Sequence, residues 1–242
     1  MVTFNKTSLF LLVVLFFALC SFSSKSNSDD DKVKIVALLK KSKDYYDKQK
    51  VFKFNTAYDL FAGNSKKALE SYKGVFIKED KNFYSKIGQT EIIVIKGNTI
   101  KIDNESKLIQ YFKEEETNEN IVYDLVKYCN NFGTFDLKST DNYWICTLNS
   151  REVTFVPFSK VVIYLDKKNY SIVKQELFLI STITTKDVKG KDVYSYPKLQ
   201  ITFSAFELKK QNEDYFKINY YIELKKGKYY PSKKYSTYQI VE

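Results

Sequence analysis

The sequence predicts a mainly β protein: one large antiparallel curved sheet with an N-terminal helix and a mid-chain helix laid over it as a lid. Three observations predict it. Aromatic residues make up 17% of the 242-residue chain, with 20 Tyr and 19 Phe, and such side chains suit a pleated, half-buried surface. Most of the chain beyond residue 50 alternates apolar and polar residues, the period of a strand with one buried face. Gly and Pro number only 7 and 3, so they punctuate the alternating runs rather than fill them.

The first residues read as a leader. Lys6 supplies a short positive region, and Leu9 to Leu19, LFLLVVLFFAL, is unbroken apolar chain. That run is shorter than the ~20 residues needed to span a bilayer but suits the core of a secretory signal peptide. Residues 1–20 are therefore expected to be a signal peptide and the protein to be exported, to the periplasm or to a membrane-anchored place in the cell envelope. FALC followed by Ser21 resembles a lipobox, which makes Cys20 a candidate for lipidation and for a lipid anchor on a membrane surface. Leu19 stands where that box normally has a small residue, so cleavage after Cys20 or after Ser23 by ordinary signal peptidase is the alternative. Residues 21–32, Ser- and Asp-rich, read as a flexible tether.

Residues 33–242 are expected to form a single domain, large enough for a sizeable core. Val33 to Tyr46 places Ile35, Leu38, Leu39, Tyr45 and Tyr46 on one helical face, with Ser42 the misfit, behind the acids Asp29 to Asp31. The period then drops to two. Phe52, Phe54, Tyr58 and Leu60 alternate with polar neighbours, and further strands are expected near 69–78, 82–87, 90–96, 98–103 and 107–112. Lys96-Gly97-Asn98-Thr99 marks a hairpin. No crossover helix separates these strands, which argues for antiparallel pairing. Residues 118–132 carry Ile121, Val122, Leu125, Cys129 and Phe132 at helical spacing, closed by Gly133. Beyond them Trp144, Cys146 and Leu148 share a strand face, and strands are expected near 151–156, 159–166, 171–183, 199–203, 216–224 and 235–241. About ten to twelve strands make a sheet that curls, and its helices must cover one face.

Chemistry is harder to find than structure. The chain has no His, which removes the commonest general base, the Ser-His and Cys-His pairs and the usual zinc ligands. No glycine-rich phosphate loop is present, and no spaced set of oxygen ligands for calcium. The acids Glu114 to Glu116 are consecutive and so do not converge on one helix face. Carboxylates assembled only by folding, as in a hydrolase, are not visible in a sequence. The prediction is of a protein that is not an enzyme and has no cofactor. Net charge is +10, nearly all from Lys, with Arg151 the only arginine. Export argues against nucleic acid as a partner, and the plainest reading of the lysines is a solvated surface. If Cys20 is consumed at processing, Cys129 and Cys146 remain, an even number in an oxidising compartment. They are a candidate disulfide; the alternative is two buried free thiols.

YDLFAGNSKKALESYKGVFIKEDKNFYSKIGQTEIIVIKGNTIKI, then YPKLQITFSAF, then GKYYPSKKYSTYQIV, in an order of helix, long meander, helix and meander behind a leader, resemble the periplasmic lipoprotein-carrier and outer-membrane lipoprotein-receptor family, the LolA/LolB-like fold. The resemblance lies in the pattern of strands and covers most of the mature chain. It implies an unclosed half-barrel whose concave apolar interior holds acyl chains under a helical lid, without cofactor or covalent chemistry. The well-studied carriers use an arginine on an early strand to hold the lid; here the early strands have none and Arg151 lies too late, so no family residue is carried over. What it implies is a general binder of acyl chains, lipoproteins or another hydrophobic ligand. The candidate cavity residues are Phe52, Phe54, Tyr58, Leu60, Ile121, Val122, Leu125, Phe132, Trp144 and Leu148. Each could equally be sealed core, which would make the protein a structural or interaction module of the envelope using a sheet surface or edge.

Overall fold

The computed structural model describes residues 28–113, 125–152, 156–186, 189–211 and 214–241. The leader with Cys20, the tether up to residue 27, and Ile121 and Val122 lie outside the described residues.

The chain opens with helix α1 (Ser28–Lys48). It starts within the segment read as tether, because Asp29, Asp30 and Asp31 stand inside its first turn, where carboxylates favour the positive end of the helix dipole. Six strands follow as a meander: β1 (Val51–Ala62), β2 (Ala68–Glu79), β3 (Asn82–Ile87), β4 (Thr90–Ile95), β5 (Asn98–Asp103) and β6 (Leu108–Lys113). The mid-chain helix is much shorter than expected among the described residues. It is one turn, α2 (Leu125–Tyr128), with a 3-10 turn Cys129–Asn131. Phe132, placed in that helix by its spacing, instead opens strand β7 (Phe132–Ser139) and is paired with Ser150.

The second meander continues with β8 (Tyr143–Ser150), β9 (Phe158–Asp166) and β10 (Ile172–Leu179). A small hairpin of β11 (Ile183–Lys186) and β12 (Asp192–Ser195) leads into the long β13 (Pro197–Glu207). The tail holds 3-10 turns at Asp214–Phe216 and Ile218–Tyr220, a hairpin of β14 (Ile222–Lys225) and β15 (Lys228–Pro231), a 3-10 turn at Lys233–Tyr235 and a last strand β16 (Gln239–Val241).

Twelve strands form one sheet in the order β16-β6-β5-β4-β3-β2-β1-β13-β10-β9-β8-β7. β13 slots between the two meanders, antiparallel to β1 and to β10. The sheet does not close, since β16 and β7 end the order. It is antiparallel but for one pair: β16 runs parallel to β6. The expected strand at 216–224 is broken into 3-10 turns, with only its end, from Ile222, in strand β14, and the one expected at 235–241 shrinks to three residues. Lys96 and Gly97 both have positive φ, 47° and 76°, as a two-residue hairpin turn requires.

Strand register shows that both faces of this sheet are buried, in different halves. In β2, Phe76 and Ile77 are neighbours and both are buried, at 6% and 2% exposure; side chains of consecutive strand residues point to opposite faces. Phe76 shares a face with Phe54, and Ile77 with Tyr84, Ile93 and Ile100. The first face is covered by α1 and is called here the helix face. The opposite one is covered over β2–β6 by residues 215–240 of the tail and is called the tail face.

Candidate functional site

The helix face is built from the period of two in eight strands, β1, β2, β3, β7, β8, β9, β10 and β13. Tyr46 from α1 lies tilted against Phe52 at 5.6 Å between ring centroids, while Phe52 stacks against Phe206 at 5.5 Å, Phe54 against Phe76 at 5.2 Å and Phe76 against Phe83 at 5.7 Å. Ile35, Leu38 and Leu39 press onto the same cluster, together with Cys146, Leu148, Ile163 and Leu165 from β8 and β9. Ring pairs in these geometries add to the burial of their area. Ser42, the misfit of the helical pattern, is also buried at 3% exposure. Tyr46 joins helix to sheet by a second means: its hydroxyl accepts the N–H of Ile172 at 3.0 Å. Burial also pushes its phenol well above the usual tyrosine range.

The first turn of α1 fastens the sheet edge. The N–H of Phe135 donates to Ser28 Oγ at 3.2 Å, and the N–H of Leu137 donates to Asp31 Oδ2 at 3.1 Å. Both belong to β7, the last strand of the order. Unpaired N–H groups of an edge strand are a template for adding another chain, and here two of them are capped.

The expected site residues that are described all reach this one face. Phe52, Phe54, Phe132 and Leu148 are buried under α1. Leu125 and Trp144 are half-buried against the same cluster. Tyr58 and Leu60 lie farther along β1, half-buried and outside it. The covering element is thus α1, with α2 adding one turn beside it, whereas the spacing pointed to the mid-chain helix. The disulfide is not formed: Cys129 and Cys146 are free, buried thiols. Both sit in the helix-face cluster, and burial pushes them up to about 11 and about 12.

Sequence reasoning missed β13 and β10 as site strands. Leu60 pairs with Leu199, Leu199 with Leu177, Leu177 with Val161, Val161 with Leu148, and Leu148 with Phe135. One apolar row therefore crosses six strands, roughly 24 Å at the usual strand spacing. At the Phe135 end it is sealed; at Leu60 and Leu199 it is half-buried and outside the cluster beneath α1. Tyr58 and Ile201 form the neighbouring row, and burial raises the Tyr58 phenol above its ordinary range. Beyond them the helix face continues outward with Tyr72, Ile87, Ile92 and Phe112, all large apolar or aromatic groups left exposed. The alternation of 199–203 was legible, but its partner strands were not. Among the described residues no group of three or more His, Cys, Asp or Glu could hold a metal ion.

No protein-family model matches the chain, and no curated protein matches it. Solved structures similar to it include a LolA superfamily protein from Nitrosomonas europaea, 14% identical over 76% of this chain and 97% of that one, with a TM-score of 0.35. An uncharacterized conserved protein from Thermus thermophilus is 8% identical over 86% of this chain and 98% of that one, with a TM-score of 0.47. LprF from Mycobacterium bovis is 11% identical over 72% of this chain and 92% of that one, with a TM-score of 0.35. The likeness in each case is one of fold.

Proposed function

We propose that this is an exported, non-catalytic cell-envelope protein that binds an acyl chain, free or carried by a lipoprotein, along the helix face of its sheet. The observation that carries the reading is the row Leu60–Leu199–Leu177–Val161–Leu148–Phe135, sealed at one end and half-open at the other. A ligand laid along it would gain about 0.8 kcal/mol for each methylene removed from water. Such a bed needs few polar contacts, and the row itself offers none. The half-open end is flanked by Tyr58 and Tyr72, whose hydroxyls suit the wet mouth of an apolar site.

The test is gentle purification followed by organic extraction and mass spectrometry, with titration of a fluorescent fatty-acyl probe. Stoichiometric lipid and saturable probe binding are expected. Leu60→Glu, at a half-buried position outside the sealed cluster, should weaken the probe at least about tenfold while the far-ultraviolet spectrum stays that of a sheet protein. Absence of lipid together with absence of probe binding would sink the proposal.

A further inference from the structure

The tail hairpin of β14 and β15, like the β11–β12 hairpin, stands outside the main sheet. It forms its own two-stranded sheet, with Ile222 opposite Pro231 and Lys225 opposite Lys228. Its turn residues Lys226 and Gly227 have φ of 50° and 77°, the left-handed pair that a tight two-residue hairpin needs. A Cβ added at Gly227 would meet nothing within 4 Å, so the tip stands clear of the protein. The base is anchored on the tail face. Tyr221 and Ile222 are buried, Tyr229 packs on the same cluster, and the N–H of Ser232 donates to the carbonyl of Tyr221 at 2.9 Å.

Outward from that base the hairpin becomes apolar and cationic at once. Leu224 shares a side with Ile222 and Tyr229, so the apolar row of the core runs on past its edge into solvent. Leu224 is 62% exposed on that side; Tyr230, 46% exposed, lies on the other side of the hairpin with Glu223, Lys225 and Lys228, so a hairpin entering tip first presents both. The stretch 222–234 carries Lys225, Lys226, Lys228, Lys233 and Lys234 against the single acid Glu223. Lys225 pairs with Glu223 at 2.6 Å. Lys226 and Lys228 have no carboxylate partner among the described residues. Lys234 lies over the Tyr220 ring at 4.1 Å.

We propose that this hairpin is a peripheral contact for an anionic phospholipid bilayer, with Leu224 and Tyr230 at the level of the headgroups and Lys225, Lys226 and Lys228 on the phosphates. A soluble polyanion would satisfy the lysines but offer nothing to an exposed leucine. A bilayer takes both, since lysine stems lie along apolar surface while their ammonium groups reach the phosphates, and tyrosine favours the interface. No helix among the described residues is long and apolar enough to cross a membrane. The contact is independent of the acyl row, because the hairpin belongs to the tail face and the row to the helix face.

The experiment compares the full chain and its variants on vesicles of phosphatidylcholine alone and of phosphatidylcholine mixed with phosphatidylglycerol. The leader is common to all samples, so the quantity read is the gain on anionic vesicles. Combining Lys225→Ala, Lys226→Ala and Lys228→Ala should reduce that gain roughly 100-fold, as three lysines at an anionic surface require. Leu224→Ala should reduce it further. Leu224→Trp should shift its emission to the blue and be quenched by brominated lipid on anionic vesicles, above the constant background of Trp144. Acyl-probe binding should be unchanged in the lysine variants. Undiminished binding by the triple variant overturns the proposal, as does an unshifted, unquenched Leu224→Trp in vesicle-bound protein. Competition by polyphosphate that depends on the lysines but not on Leu224 would make a soluble polyanion the partner instead.

Discussion

Tyr46 shows how much one side chain can carry in this molecule. Its ring fills the helix face between Phe52 and Phe206, while its hydroxyl accepts the buried N–H of Ile172 from β10. An unpaired donor in a core costs the full desolvation of that group. Tyr46→Phe keeps the ring and removes the acceptor, so it is expected to cost about 1–3 kcal/mol. The drop should appear as a lower urea midpoint with an unchanged slope, and the Ile172 amide should exchange faster than its neighbours in β10. Gly74 is the converse case, a residue needed for what it lacks. A Cβ there would sit 2.4 Å from Thr56 Oγ1 and 2.7 Å from the Lys86 carbonyl, too close for β1, β2 and β3 to keep their register. Neither dependence is visible locally: Tyr46 fits its helical face like any apolar residue, and Gly74 looks like a defect in a strand.

Among the elements, α1 does more than cover. Its apolar side seals the phenylalanine cluster, and its first turn caps the outward N–H groups of Phe135 and Leu137 on β7. Removing Asp31 should therefore act on the sheet edge as well as on the helix. Asp31→Ala is expected to destabilise the fold by about 1–3 kcal/mol through the Leu137 amide left unpaired. Hydrogen exchange at Leu137 should rise more than in the middle of β8, where the ladder is intact. Equal exchange at both places would show that the cap contributes nothing. The capped edge also bears on the alternative of an interaction module: in this structure β7 is not an open template for an added strand.

On the scale of the whole molecule, one sheet serves two cores on opposite faces. β2 is the hinge of the arrangement, with Phe76 in one core and Ile77 in the other. The tail core rests on tyrosines: Tyr84, Tyr221 and Tyr235 are all buried, and burial raises each phenol beyond its usual range. Tyr84 donates to Glu91 at 3.1 Å and Tyr221 to the carbonyl of Tyr215 at 3.0 Å. Because the two cores lie on different faces, damage to the tail should spare the acyl row. Tyr221→Ala is expected to cost roughly 3–5 kcal/mol, the range for deleting a large buried ring. Limited proteolysis should then cut first within residues 214–241, while acyl-probe binding persists at temperatures where the protein remains folded.

The order of helix, meander, mid-chain helix and meander followed from periodicity alone, because a strand with one wet side must alternate and α1 must present an apolar stripe; the spacing over 118–132 pointed to a longer helix than the one turn seen among the described residues. β3, β4 and β5 fall within a residue of the expected runs for that reason, and the Lys96-Gly97 turn was marked by its glycine. Alternation does not say which face meets what. Nothing local distinguishes Phe76 from Ile77, and only register across β1, β2 and β3 sends them to different cores. Residues 216–224 alternate as well as any strand, yet the tail folds into turns closed by Lys217 onto Asp214 and Tyr220 onto Lys217. The tertiary structure also inserted β13 beside β1, which joined Leu60 to Leu199 and made one row of six strands. Pairings between residues more than a hundred positions apart leave no local trace, since loop-closure cost grows only slowly with length. The sequence determined which side chains had to be hidden, and the sheet order decided where each was hidden and which end of the row stayed open.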